Sequence, residues 1–198
     1  MKPFKDYENV DPYTNKEKLS PGGYVLRVEG VKYESKPGVS DQIILSFDIY
    51  EGEFKDFFMK NWMAQTQEDK KWKGTYRIWV PTDDGSESDG WSKRRFKTIM
   101  NAFEDSNVGY TWDWNEAGLK GKLIGGIFNR KEYDFNGNHG FFTQCYSLTD
   151  VDSIREGNFK IPEDTLLKKT DIAYSSVPMP SDDEFMKVPE TDMDELPF

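Results

Sequence analysis

Hydrophobic and polar positions alternate over much of the first 150 residues. In residues 24–29, Tyr24, Leu26 and Val28 share one side, with Arg27 and Glu29 on the other. That period of two predicts a half-buried strand. Pro21-Gly22-Gly23 turns the chain into it, Gly30 fits a bulge, and Val31 and Tyr33 continue the run to a loop at Lys36-Pro37-Gly38. A second strand carries Ile43, Leu45, Phe47 and Ile49 on one face and Ser46 and Asp48 on the other, and Gly52 ends it. Residues 54–62 are expected to be a strand as well, although Phe57 and Phe58 occupy both faces. Residues 65–73 are charged and suit a loop or short helix. Residues 75–80 have strand composition stopped by Pro81, and residues 83–90 form an acidic, Ser/Gly-rich loop.

The next pattern changes period. Phe96, Ile99, Met100 and Phe103 recur at i, i+3, i+4 and i+7, with Lys93, Arg94, Arg95 and Lys97 around them. This predicts an amphipathic helix closed by Asn107-Val108-Gly109. Trp112-Asp113-Trp114-Asn115 is a connection. Residues 122–128 resume strand character and run to Tyr133, with Gly125 and Gly126 permitting a bend. Asn136-Gly137-Asn138 signals a hairpin into a return strand over residues 141–148. Read as strand, strand, strand, helix, strand, strand, one segment fewer than the four set out before the helix, the order is that of the oligonucleotide-binding (OB) barrel, five strands with one helix between the third and fourth. The expected fold is therefore mostly β, an OB-like five-stranded barrel. Another β-rich domain with one helix shares the same order.

Charge divides the chain. The net charge is −10, and the last 23 residues carry −6 of it, with five of the ten prolines falling after residue 161. The apolar residues of that end have no sustained period, so it cannot bury enough surface to offset its ordering entropy. The expected division is a folded body over residues 1–165 and a disordered acidic tail over residues 166–198. Aromatic residues at 15% rule out disorder for the body. No run approaches the roughly 18 apolar residues of a membrane helix. No apolar leader opens the chain, and a single cysteine, Cys145, cannot form an internal disulfide, so a reducing cytoplasm is the expected compartment.

The tail ends in Asp192-Met193-Asp194-Glu195-Leu196-Pro197-Phe198. A terminal ring can enter an apolar pocket while its carboxylate pairs with a basic rim, Pro197 lowers the entropy lost on docking, and the acids add attraction to a basic partner. The alternative is a solvated acidic tail that happens to end in Phe. This ending resembles the acidic tip of bacterial single-stranded-DNA-binding proteins. The resemblance implies that Asp192, Asp194, Glu195, Leu196, Pro197 and Phe198 recruit replication, recombination and repair proteins. The body is similar to phage- and prophage-encoded proteins of Gram-positive hosts. The stretches that carry that likeness are Pro21-Gly22-Gly23-Tyr24, Asp48-Ile49-Tyr50-Glu51-Gly52-Glu53-Phe54, Asp69-Lys70-Lys71-Trp72-Lys73-Gly74, Trp112-Asp113-Trp114 and Lys120-Gly121-Lys122-Leu123.

Single-strand binders place stacking rings beside positive charge. The stretch from Phe54 to Trp79 interleaves aromatic residues with lysines and arginine, and from it Lys60, Trp62, Lys71, Trp72, Lys73, Tyr76, Arg77 and Trp79 are candidate DNA contacts. Trp72 stands between two lysines and is expected to be exposed for that reason. Arg130, Tyr133 and His139 flank the last hairpin, a usual binding lip of this barrel. For any one ring the competing role is core packing. For Lys93-Arg94-Arg95 it is a solvated helix face.

Catalytic patterns lack support. Gly118 to Leu123 has neither the spacing nor the hydroxyl of a phosphate-binding loop. One cysteine and one histidine cannot supply four zinc ligands. Asp83, Asp84, Glu87 and Asp89 lack the alternating spacing of an EF-hand. The expectation is a non-enzymatic, cofactor-free binder of single-stranded DNA that recruits proteins through its tip, with self-association left open. Two rivals stand: an adaptor whose tail mimics the host protein while its body leaves DNA alone, favoured by the negative charge, and a metal-dependent nuclease.

Overall fold

A computed structural model of the chain describes residues 5, 7, 18–135 and 137–167. Its elements in chain order are β1 (Gly22–Lys36), β2 (Val39–Ile49), α1 (Phe57–Met63), β3 (Thr75–Trp79), α2 (Glu87–Ser106), a 3-10 turn (Glu116–Leu119), β4 (Leu123–Phe135), β5 (Asn138–Thr149) and α3 (Val151–Arg155). The strands form one antiparallel sheet in the order β3-β2-β1-β4-β5. β1 serves two neighbours: residues 22–27 pair with β4 and residues 26–36 with β2. The β1–β2 register shifts between Val28 and Gly30, so the bulge lies at the expected glycine. Lys36 faces Val39 across Pro37-Gly38, and Phe135 faces Asn138, so both tight hairpins fall where the turn residues placed them. Gly38 and Gly137 supply the positive φ these turns require, at 78° and 75°.

The expected strand at residues 54–62 is instead helix α1. The cause is Asp48, which the alternation assigned to the solvent face of β2 with Ser46. Both are buried. Asp48 turns its carboxylate to the start of α1, where Oδ1 accepts from the Phe58 amide at 2.9 Å and Oδ2 from the Met59 amide at 2.9 Å. Those are two of the amides a helix start leaves without partners, and a negative charge there is favourable. As a helix the segment buries Phe58 against Phe47, ring centroids 5.4 Å apart, and sets Phe57 against Phe54. The sheet thus has five strands, and the helices exceed the one expected, since α1 precedes β3 and α3 follows β5.

α2 buries the expected stripe of Phe96, Ile99, Met100 and Phe103. It starts earlier than its hydrophobic pattern. Ser86 caps it by accepting from the Asp89 amide at 3.1 Å, so residues 87–90 of the expected acidic loop form its first turn. Asp89 is buried, accepts from the Asp83 and Gly85 amides, and pairs with Lys93 at 2.8 Å. At the other end Asn107 ties the helix to β4, donating to the carbonyls of Phe103 and Leu123 and accepting from the Leu123 amide.

The core lies between the sheet and α2, where Leu26, Leu45, Phe47, Ile78, Phe103, Ile124 and Phe128 are almost wholly buried. Among the described residues no ladder joins β3 to β5, the two outer strands. Beyond Phe128, β4 outruns β1, and its free edge takes residues 163–165 instead. Thr165 donates to the Arg130 carbonyl at 2.8 Å and accepts from the Glu132 amide at 2.9 Å. Residues 166 and 167, placed in the tail by composition, follow directly, and the Leu167 amide donates to Glu132. The rest of the tail, with the tip at residues 192–198, lies outside the described residues. No described helix is long and apolar enough to cross a membrane.

Candidate nucleic-acid interface

The sequence candidates fall in three places. The first is α1 and the loop after it. Lys60 is exposed and donates to the Lys55 carbonyl. Trp62 is half-buried, with Lys70 Nζ 5.0 Å from its ring centroid. Lys71 and Lys73 are exposed, Lys71 lying 3.9 Å from Asp69. Trp72 departs from expectation. Its indole is half-buried against the core, and its N–H donates to the carbonyls of Phe47 at 3.2 Å and Gly74 at 3.1 Å. It pins the loop to β2, and the flanking lysines reach solvent because only their neighbour turns inward.

The second place is β3, whose pleat splits its candidates. Tyr76 and Ile78 point into the core, and Thr75, Arg77 and Trp79 point outward. Tyr76 is only 7% exposed, and its hydroxyl accepts from Arg95 at 3.1 Å. A ring so placed cannot serve as an open stacking platform. Trp79 is 47% exposed opposite Gln42 of β2, and Arg77 on the same face donates to the Gln42 side chain at 3.4 Å.

The third place is the β4–β5 arm beyond β1. Cross-strand pairing sets Arg130 opposite Thr143 and His139 opposite Asp134 on one face, and Tyr133 opposite Gly140 on the other. The hairpin candidates therefore do not share a surface. Arg130 and Phe141 make a cation–π contact on the first face, at 5.2 Å. Tyr133 and Phe142 meet on the second, centroids 6.4 Å apart. His139 Nδ1 lies 3.5 Å from Asp134.

The six arginines sort by partner. Arg27 sits on Glu29, Arg155 on Glu51 and Arg130 on Asp164. Each of these carboxylates holds its arginine pKa above the ordinary value, chiefly through the shared hydrogen bond. The other three have neutral partners: Arg77 with Gln42, Arg94 over the Trp91 ring at 5.4 Å, and Arg95 with the Tyr76 hydroxyl. Arg77 shares the outer face of β3 with exposed Trp79, and Arg94 and Arg95 lie on the first half of α2, which also carries exposed Trp91. Among the described residues no carboxylate must be displaced for a phosphate to approach these guanidiniums.

Residue-by-residue reading of the sequence weighed Arg94 and Arg95 only against a solvated helix face and did not single out Trp91 or Tyr146. Arg95 lies four residues before buried Ile99, so the helical period placed it on the flank of the apolar stripe. Tyr146 is 48% exposed on β5 beside a register shift that breaks the strand's alternation, which hid its direction. Burial pushes the Cys145 thiol pKa up, away from a reactive thiolate. Among the described residues no three His, Cys, Asp or Glu side chains gather as a metal site. No protein-family model and no curated protein sequence matches the chain.

Proposed function

We propose that the chain binds single-stranded DNA without sequence preference and recruits DNA-processing proteins through its C-terminal tip. The observation that carries this reading is that, among the described residues, Arg77, Arg94 and Arg95 meet no carboxylate, with Arg77 on the face of exposed Trp79 and Arg94 against exposed Trp91. Guanidiniums supply phosphate contacts and exposed indoles supply stacking, which works on any base. The neighbour relations β3-β2-β1-β4-β5 support an OB-type barrel opened at the seam between β3 and β5. In such a barrel the β1–β2 and β4–β5 hairpins flank the binding face. Kinship with the phage single-stranded-DNA-binding proteins, a cytoplasmic location in a bacterial host and the absence of a catalytic step belong to the same proposal.

The test is titration of a fluorescent oligo-dT with the full chain. Binding that weakens with salt, and weakens further in Arg77→Ala and Trp79→Ala, supports the reading. An absence of binding at low salt overturns it. The net charge of −10 favours a second reading, an adaptor that presents the tip without touching DNA. For that reading the same titration gives no binding, while Phe198→Ala still abolishes partner capture. Cut product on adding magnesium would instead identify a nuclease.

A further inference from the structure

We propose that the cleft between β3 and β5, beside α2, is a subsite for one unstacked nucleotide of the bound strand. This rests on the single-stranded-DNA reading and deepens it. The cleft has a volume of about 460 Å3, within the roughly 300–1,000 Å3 of ordinary ligand sites. It exists because β3 and β5 are not joined by a ladder, while Arg95 and Ile99 of α2 line it together with Tyr76 of β3 and Leu148 of β5.

Its chemistry matches a nucleotide at both ends. Ile99 and Leu148 make a buried apolar floor. Tyr146 stands beside it as a half-exposed ring, the kind of face on which a base stacks. Arg95 supplies the cation. A guanidinium has five N–H donors, and the Tyr76 hydroxyl is the one hydrogen-bond acceptor that Arg95 meets among the described residues. The remaining fork suits two phosphate oxygens. Thr98 gives its proton to the Arg94 carbonyl and keeps its acceptor lone pairs, and the Ser147 hydroxyl can donate or accept. Hydroxyls that rotate to either role accept any base edge, in keeping with binding that ignores sequence.

The cleft also adjoins the face already described. Gly74 and Val80 bond to β2 through their main chains, at the Phe47 amide and the Asp41 carbonyl. By the antiparallel alternation, the main-chain groups of Arg77 and Trp79 turn toward the seam. The Arg77 and Trp79 side chains stand on the outer face of the strand whose Tyr76 lines the cleft. The chain's own Phe198, a ring with a carboxylate, is the competing occupant. The hydroxyls and the adjoining Arg77–Trp79 face favour the nucleotide.

The experiment uses the full chain and two substitutions at accessible positions, Tyr146→Ala to remove the ring and Thr98→Leu to fill the cleft. Amide shifts are followed during titration with dTMP and, separately, with a synthetic peptide of residues 192–198. Oligo-dT affinity is measured for each variant, and 5-iodouracil oligonucleotides are photocrosslinked. The expected result is that dTMP moves amides within residues 95–99 and 146–148, that the crosslink falls on Tyr146, and that each variant loses fivefold or more in oligonucleotide affinity, as for one stacked base. Undiminished binding by both variants, with no crosslink at Tyr146, removes the subsite while DNA binding by the parent stands. No oligonucleotide binding by the parent removes the DNA reading and the subsite together. Movement of these amides by the peptide and not by dTMP assigns the cleft to the tip and overturns the proposal.

Discussion

Arg130 and Asp164 form a two-point ion pair, with Nε to Oδ1 at 3.0 Å and Nη2 to Oδ2 at 2.5 Å, which fastens residues 163–165 to the free edge of β4. An arginine that sequence alone marks for DNA thus already holds a carboxylate. The chain continues toward the tail from this point, beside the β4–β5 arm. Any phosphate contact by Arg130 must compete with Asp164.

Asp164→Ala should therefore strengthen oligonucleotide binding. The pair is partly exposed, so its loss should change stability little. The freed guanidinium should add one phosphate contact and steepen the logarithmic salt dependence by about 0.7. Salt titrations of oligonucleotide binding by the parent and variant check the affinity and the slope. An unchanged slope would place Arg130 off the DNA path.

Trp72 and Trp79 should behave in opposite ways. Trp72→Ala removes packing against the core and two hydrogen bonds to carbonyls, and should cost about 2–4 kcal/mol in a urea melt. Trp79→Ala should leave the melt within about 0.5 kcal/mol, since the ring is 47% exposed, and should lose about 1–3 kcal/mol of DNA binding. Melts and titrations run on the same preparations separate the two roles.

Asp48 makes stability depend on pH. Burial raises its carboxyl pKa above the ordinary value, against the three amide bonds that lower it. The folded state therefore binds more protons than the unfolded state between the ordinary carboxylate pKa and the raised one, and the Asp48 contribution falls as pH rises through that window. Asp48→Asn should abolish this part of the slope. It should also weaken α1, because an amide NH2 would face the Met59 or Phe58 N–H. Urea midpoints of parent and variant across the acidic range should converge as pH rises. A constant difference would show that Asp48 does not titrate there.

The tip should act independently of the body. Phe198→Ala should abolish capture of host replication and repair proteins and leave oligonucleotide affinity unchanged. Pull-downs paired with titrations check it, and equal recovery from parent and variant would reduce the ending to an unused tail.

The sequence by itself determined what depends on near neighbours. Alternation located β1, β2, β3 and the β4–β5 hairpin, glycines marked the bulge and both tight turns, and the 3.6 period located the buried face of α2. These are local consequences of backbone geometry and turn chemistry. Only the tertiary structure decided the rest. Residues 57–63 are helical because Asp48, ten residues before Phe58, turns inward to meet its amide. Trp72 is an anchor because carbonyls of Phe47 and Gly74 come within reach of its N–H. Arg130 is held by a carboxylate because one returns to it from 34 residues further along the chain, whereas among the described residues Arg95 meets the Tyr76 hydroxyl instead. Periodicity reports which way a side chain points, whereas its partner is set by which distant segment packs against it.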